Sequence, residues 1–516
     1  MAKTSCPTHR PRRAQLLGGV TSIAMLLCCP FATAADPQKS GIEVVPADAA
    51  FFSGSLLLKE QVEMVRTSNA MQAILDLPAV KMGLDQLEDM QSMPGSPLSM
   101  VSTFMELPEN KQALDLLTDM VSRDTFIYGE TSCIQFTKLL MALQRANQMA
   151  SLSQAVDDEL DDEDLGSEEA AARLFFDAVA DNIDDLVLPD LVWGFQTTMG
   201  DAATQQLARL EVLLKLITQT QPMLADALTR ETIDGSELIV FTLSGKLAPW
   251  DDLGLDAYSD DSEAVDKVVD KLRSLNLVIG LGLVGDRVVI SIGDSIDHLS
   301  KLAAASAGTG LASIDAFTPY REAGEAKVTS IGYVSKEFVE ILSPTGDDLR
   351  MLAKFAEPMA AKAELPEGAG EDARRGLEQM ADEYEEMLPE PGAYMGYAFM
   401  TDTGFAGENW NWSSNVALDA SQPLGILAHV GGSPFAVVAS RTSVDALNLE
   451  TLIGWGGMAK DYFEKYLIEK MDDDDREKFD EARETFEPLL KDLADTLVNK
   501  FAPALADRQV ALVLDD

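Results

Sequence analysis

An α+β fold follows from two features of the sequence: short β-rich runs joined by hairpin signals, and amphipathic helical stretches between them. Ile233-Asp234-Gly235-Ser236 leads into LIVFTL, Gly285-Asp286 sits between LVIGLGLV and RVVISI, and Asp402-Thr403-Gly404 separates AYMGYAFM from FAGENWNW. Asp and Gly supply the positive φ that tight hairpin loops require. Hairpins imply antiparallel sheets; a doubly wound parallel sheet needs strict β-α-β alternation, which they break. The apolar share of 46% is ample for a core, so helices are expected to cover the sheets by packing.

The elements can be justified in chain order. Residues 1–34 read as a cleavable export signal. Arg10, Arg12 and Arg13 give a positive start, residues 16–29 (LLGGVTSIAMLLCC) an apolar stretch, and Ala32-Thr33-Ala34 a small-residue site, predicting cleavage between Ala34 and Ala35. That stretch is shorter than the roughly 20 apolar residues of a membrane span. The mature chain is therefore expected to be extracytoplasmic, periplasmic or secreted, with no stable span after cleavage. Arg12-Arg13 also fits twin-arginine export, but Gln15 stands where that signal carries a large apolar residue, which favours the ordinary secretory route.

After Pro46 one phrase recurs: a β-rich run, a few polar residues, an amphipathic helix. AFFSGSLL leads into KEQVEMVRTSNAMQAIL, and KVTSIGYV leads into Ser335 and KEFVEIL. Placing Lys59 over Lys336 also places Ser53 over Ser330, suggesting two related halves, 35–325 and 326–516. Ser335 suits an N-cap, with Glu337 and Glu340 near the positive end of the helix. Strands are expected near 125–128, 190–196 and 435–440, each followed by a helix. In the helix near 201–218, Leu207, Leu210, Leu214 and Ile217 form a stripe that predicts the buried face. The segment 365–370 (LPEGAG) separates two helical stretches as a linker, and 93–97 (MPGSP) is the corresponding break in the first half. QVALVL, at 509–514, either closes a sheet or marks a second half cut short at its last strand.

Charge narrows the partners. The chain carries 86 acidic against 40 basic residues, net −46, and its signal holds Lys3, Arg10, Arg12 and Arg13 but no acid. Such a surface repels nucleic acid and anionic lipid, while keeping a protein soluble without any ligand. Of four cysteines, Cys6, Cys28 and Cys29 fall in the signal, so Cys133 alone remains and no internal disulfide can form.

Several motifs can be weighed against plainer readings. Gly280-Leu281-Gly282-Leu283-Val284-Gly285 spells a dinucleotide-binding pattern, yet a strand follows where the chemistry needs a helix N-terminus. Asp402-Thr403-Gly404 matches an aspartic-protease signature without the second carboxylate that mechanism requires, and reads as a turn. His298 and His429 are the only histidines beyond the signal, so no zinc spacing exists. The acidic tracts 157–164 and 472–475 offer oxygen ligands for calcium, without an EF-hand pattern. Asp294, Ser295, Asp297 and His298 crowd together, but no nucleophile elbow is present, and Asp294-Ser295 fits a helix cap. Trp410 and Trp412 alternate in a strand, so both indoles would leave one face as the candidate binding residues; core filling is the plainer role. Met90, Met93, Met100 and Met105 read as adaptable core filler rather than copper ligands.

With the export signal, the Val45-Pro46-Ala47-Asp48 approach to the first strand and the strand-to-helix phrases, the chain resembles secreted bacterial α+β proteins of an uncharacterised family. The resemblance implies an extracytoplasmic α+β protein and transfers no catalytic residue. Together these readings predict an exported, non-catalytic binding or structural protein of the cell envelope, without cofactor or assembled metal site, acting on an unidentified envelope or extracellular partner. The alternatives are a carboxylate-based, glycosidase-like hydrolase and a calcium-stabilised adhesion protein.

Overall fold

The computed structural model describes residues 41–93, 103–157, 167–250, 262–304, 309–323, 326–402, 404–414, 422–432, 436–441, 449–468 and 509–514, with a few single residues between these ranges. The export signal with Ala34 and Ala35, the calcium tract 472–475 and all but the first residue of 157–164 lie outside them.

The fold is α+β, with every strand pair antiparallel. Strands β1 (Phe51–Ser55), β2 (Thr125–Gly129), β3 (Leu191–Gln196), β4 (Leu228–Ile233), β5 (Ser236–Ser244), β6 (Asn276–Val284), β7 (Arg287–Gly293), β8 (Lys327–Val334), β9 (Tyr394–Thr401) and β10 (Gly404–Asn411) form one 10-stranded sheet. Their spatial order is β10-β9-β8-β1-β2-β3-β7-β6-β5-β4. The helices are α1 (Leu58–Thr67), α2 (Asn69–Leu75), α3 (Pro78–Ser92), α4 (Pro108–Ser122), α5 (Thr131–Asp157), α6 (Ser167–Asp181) and α7 (Gly200–Gln219). They continue with α8 (Ser262–Ser274), α9 (Leu299–Ala304), α10 (Thr318–Glu322), α11 (Lys336–Leu342), α12 (Asp347–Lys362), α13 (Ala369–Met387) and α14 (Leu449–Tyr462).

The hairpins fall where the turn chemistry puts them. Asp234 and Gly235 both take positive φ (47° and 85°) between β4 and β5, as a two-residue loop of mirror-image hand demands. Gly285 (φ 60°) turns β6 into β7, so the glycine-rich run is a strand and its hairpin, with no helix following. Strands β9 and β10 pair from Thr401 opposite Gly404 to Tyr394 opposite Asn411, and Thr403 between them lies outside the described residues.

The two aligned phrases meet in the middle of the sheet. Strand β1 pairs directly with β8, Phe52 opposite Tyr333 and Ser53 opposite Gly332. Each then enters a helix, and the Ser335 Oγ accepts the Phe338 amide at 3.2 Å as the expected cap. Strands from both sides of residue 325 thus share one sheet and one core.

That core lies on one sheet face. Phe52, Phe126, Tyr128, Val192, Val240, Val289, Ile331, Tyr333 and Met395 alternate inward, as a period of two requires. They are roofed by Ile42, Val45, Ile296, Leu299, Leu311 and Phe317, which come from short turns and α9 rather than long helices. Bulky residues alternate with glycines along the rows: Gly194 faces Phe126 across β2–β3, and a Cβ there would strike the Phe126 ring. The opposite face is covered by α4 and α7, where Leu116, Met120 and Ala203 pack near Phe195, Leu281, Leu283 and Val288.

Helix α7 departs in part from its predicted orientation. Leu210 and Ile217 are exposed, whereas Ala202, Ala203, Glu211 and Thr218 are buried. Small residues let the helix approach the sheet, and Glu211 is fixed there by Arg230 of β4 (Nη2 to Oε2, 2.6 Å) and by Lys215 (2.8 Å). Leu207 and Leu214 are half-buried on this same face, so the buried side keeps half of the predicted stripe and adds an ion pair to the edge strand.

The remaining pieces are peripheral. Within segment 365–370, residues 365–368 turn between α12 and α13, with Gly368 at φ 88°, and Ala369 and Gly370 already begin α13; Arg350 is bound to Glu385 across the helix pair. Strand β12 (Gln509–Leu514) pairs β11 (Ala436–Arg441) in a separate 2-stranded ribbon rather than extending the main sheet. Among the described residues, no helix is long and apolar enough to cross a membrane.

Candidate functional site

Four acids stand at one end of four neighbouring strands. Asp48 precedes β1, Glu130 follows β2, Asp190 precedes β3 and Asp294 follows β7. Antiparallel pairing makes these alternate starts and stops a single sheet end. Across it runs the segment after β7, where Ser295 Oγ accepts the Asp297 amide (3.2 Å) and the chain delivers His298 and then Lys301 of α9. The start of α5 adds Ser132 and Cys133.

Backbone and side-chain bonds draw these residues together. The Glu130 amide donates to the Asp190 carbonyl at 3.0 Å. Ser132 Oγ donates to Asp190 Oδ2 and accepts from the Asp190 amide, both at 2.8 Å. Lys301 Nζ donates to Glu130 Oε2 (2.6 Å) and Asp48 Oδ2 (3.2 Å). His298 Nδ1 lies 3.3 Å from Asp190 Oδ1, near enough for attraction but without hydrogen-bond alignment. Gly293 makes room for this approach, since a Cβ there would collide with Asp190 Oδ1.

The cluster stands out for what its buried atoms lack. Tyr128 Oη, Glu130 Oε1, Asp190 Oδ1, Ser291 Oγ and both His298 ring nitrogens have no hydrogen-bond partner among protein groups. Tyr128 and Ser291 are 0% exposed, Glu130 6% and His298 7%. Buried polar atoms are normally paired, and each one left over costs about 1–3 kcal/mol. A concentration of them at one locus marks a place kept for something other than stability.

Electrostatics agrees with that reading. Burial lowers the His298 pKa from its ordinary value, against the pull of Asp190, Glu130 and Asp294, so the ring is held toward neutrality. Burial, reinforced by Glu130, Asp48 and Asp190, raises the Tyr128 phenol well above its usual range. The same two causes, burial and Asp190, push the Cys133 thiol up to about 12. Lys301 keeps its charge despite partial burial, because its bonds to Glu130 and Asp48 raise its pKa.

The opposite end of the same strands is built differently. Asp119 accepts from Arg123 Nε (2.6 Å), Thr197 Oγ1 (2.8 Å) and the Thr198 amide (2.8 Å). Although burial opposes it, these donors lower its pKa. Asp124 accepts the Gly41 amide and lies 3.8 Å from Arg287, which also binds Asp286. Gln196 Nε2 donates to Asp286 Oδ2 at 2.9 Å. Asp119 is fully engaged here, while Asp124 keeps one buried oxygen, Oδ1, without a partner.

The residues singled out from sequence are placed as follows. Trp410 stacks on Tyr397 (5.4 Å between ring centroids) against the core, while Trp412 lies just past β10 and is 43% exposed. His429 sits exposed in a short turn, Gly425–His429. His298 belongs to the polar cluster and starts the turn into α9. Among the described residues, no three His, Cys, Asp or Glu side chains converge on a point where a metal could bind. Tyr128, Glu130, Asp190 and Lys301 were not legible as site residues. The available signal was an acid directly flanking each of several strands, which becomes meaningful only once the strand order is known.

No protein family, curated protein or solved structure matches the chain.

Proposed function

We propose that the protein is an exported, non-catalytic binding protein of the extracytoplasmic space, holding a small polar ligand at the Asp48–Glu130–Asp190–His298 end of its sheet. One observation carries this reading: buried hydrogen-bonding atoms without partners collect at that end, and no activated nucleophile is among them. Cys133 keeps its proton, because its pKa is about 12. Ser132 has its hydroxyl committed twice to Asp190. Cys133 donates to the Asp190 backbone carbonyl, and Ser132 to a weakly basic carboxylate rather than to an imidazole, so neither is activated as a nucleophile by a strong base. Export rests on the N-terminal signal, and a net charge of −46 is consistent with solubility outside the cytoplasm.

A second reading, the carboxylate-based hydrolase, draws on the uncommitted oxygens of Glu130 and Asp190, since a paired-acid mechanism needs two such groups. Calorimetric titration of the secreted form against small polar compounds, beside turnover assays on chromogenic glycosides, separates the two. Saturable binding without turnover supports the binding protein. Turnover abolished by Glu130→Gln supports the hydrolase. A full-length, unprocessed chain recovered from the cytosol would contradict export.

A further inference from the structure

We infer that the sheet-end site takes the ammonium group of a small primary amine, an inference that rests on the binding reading above. Glu130 Oε1 is a carboxylate oxygen with no hydrogen-bond partner, Asp190 Oδ1 has only the unaligned His298 Nδ1 near it at 3.3 Å, and the Tyr128 hydroxyl is likewise unbonded. Carboxylates that already hold one partner call for a donor, and preferably a charged one. Asp48, Glu130, Asp190 and Asp294 bring four carboxyl groups together, and among the described residues Lys301 is the lysine that bonds to them. An anionic ligand is repelled by this balance, and a neutral one leaves it uncompensated.

The protein supplies its own precedent. Lys301 Nζ already bridges two of these carboxylates, Asp48 Oδ2 and Glu130 Oε2. A ligand ammonium would meet Glu130 on its second oxygen in the chemistry that the lysine uses on the first. An ammonium carries three donors, matching two carboxylates and a phenol or imidazole acceptor. A metal ion suits the site less, because among the described residues no three His, Cys, Asp or Glu side chains could hold one, whereas an ammonium can be held by Glu130 and the Tyr128 hydroxyl with fewer ligands. Asp48 and Lys301 are 59% and 44% exposed, so the cluster meets solvent on their side, whereas Tyr128 and Ser291 are 0% exposed. A ligand ammonium would approach Glu130 from the side of Asp48 and Lys301.

The test uses the signal-processed protein and thermal unfolding at constant ionic strength, with methylammonium, ethanolamine and putrescine as probes. Tetramethylammonium serves as a cation without N–H donors, and acetate, glucose and calcium as comparators. A dose-dependent rise in Tm with the primary amines and none with tetramethylammonium is expected. Ethanolamine affinity should fall at least tenfold in Glu130→Gln and in Asp190→Asn, and survive in Asp382→Asn, an exposed acid elsewhere. If the acid variants fold poorly, Tyr128→Phe gives the second arm, with a several-fold loss expected. Equal shifts from tetramethylammonium, or amine binding indifferent to all three site variants, overturn the inference. Site-dependent binding of glucose or acetate but no amine overturns the ammonium assignment alone. No site-dependent binding of any probe overturns both the assignment and the binding reading.

Discussion

The two ends of the central strands both hold buried polar groups and pair them to different degrees. At the Asp119 end, one carboxylate takes donors from Arg123, Thr197 and Thr198, and its pKa is lowered. At the Asp190 end, two carboxylates, a phenol and an imidazole each keep an atom without a protein partner. Folding alone favours the first arrangement, since a buried charge is tolerated when its hydrogen bonds are complete. The second lowers stability with no structural return, which is how binding sites differ from the scaffold that holds them. Asp124 Oδ1 is also without a partner at the Asp119 end, so what sets the Asp190 end apart is the number of unpaired atoms gathered at one locus rather than burial by itself.

The largest effect that could break this contrast is at Asp119. Asp119→Ala strands Arg123 and the Thr197 hydroxyl together, and should cost about 3–5 kcal/mol in urea unfolding. Asp190→Asn, which can keep the Ser132 bond and gains an N–H near His298, should cost under about 1 kcal/mol. Equal losses at both positions would erase the distinction between the ends.

Next in size is a pair of opposed pH slopes. Burial raises Asp124 to about 6, above its unfolded value. The folded state therefore binds the extra proton, and stability is lost as pH rises from about 4 to 6, by roughly 2–3 kcal/mol in total. Asp124→Asn should abolish that slope. His298 works in reverse, because its folded pKa is lowered. The unfolded chain binds the proton first, so stability is lost as pH falls below about 6.5. His298→Gln should remove this loss, read as the pH dependence of the urea midpoint. A wild-type-like profile in either variant would contradict the assignment of that group.

The smallest effect is chemical. With its thiol held near 12 and buried, Cys133 should react with a maleimide or disulfide reagent at pH 8 at least 100-fold more slowly than in urea. Reaction at the unfolded rate under native conditions would mean that the Asp190 end is open to bulk solvent.

Much of the fold was legible in the chain because local chemistry specifies it. Asp234-Gly235 and Gly285 fix hairpins by the φ angles they allow, and Ser335 fixes a helix start by offering one oxygen to a free amide. The leucine stripe of α7 was half right, with Leu207 and Leu214 half-buried and Leu210 and Ile217 exposed, because periodicity records apolar positions and cannot register a buried Glu211 paired with Arg230. The candidate site was illegible for a related reason. Asp48, Glu130, Asp190 and Asp294 are far apart in sequence and become neighbours only through the order β1-β2-β3-β7. His298 was visible as one of two histidines, yet its partner Asp190 was not. The tryptophans at 410 and 412 drew attention as aromatic residues do, and the first of them packs on Tyr397.

The most direct test compares two hydroxyl deletions, Tyr128→Phe and Thr197→Val, by urea unfolding at pH 7. Tyr128 Oη has no partner, whereas Thr197 Oγ1 donates to Asp119 and accepts the Met199 amide. Tyr128→Phe should leave stability unchanged or raise it by up to about 1 kcal/mol, while Thr197→Val should lower it by about 1–3 kcal/mol. A loss in Tyr128→Phe as large as that in Thr197→Val would show that both ends serve stability alike.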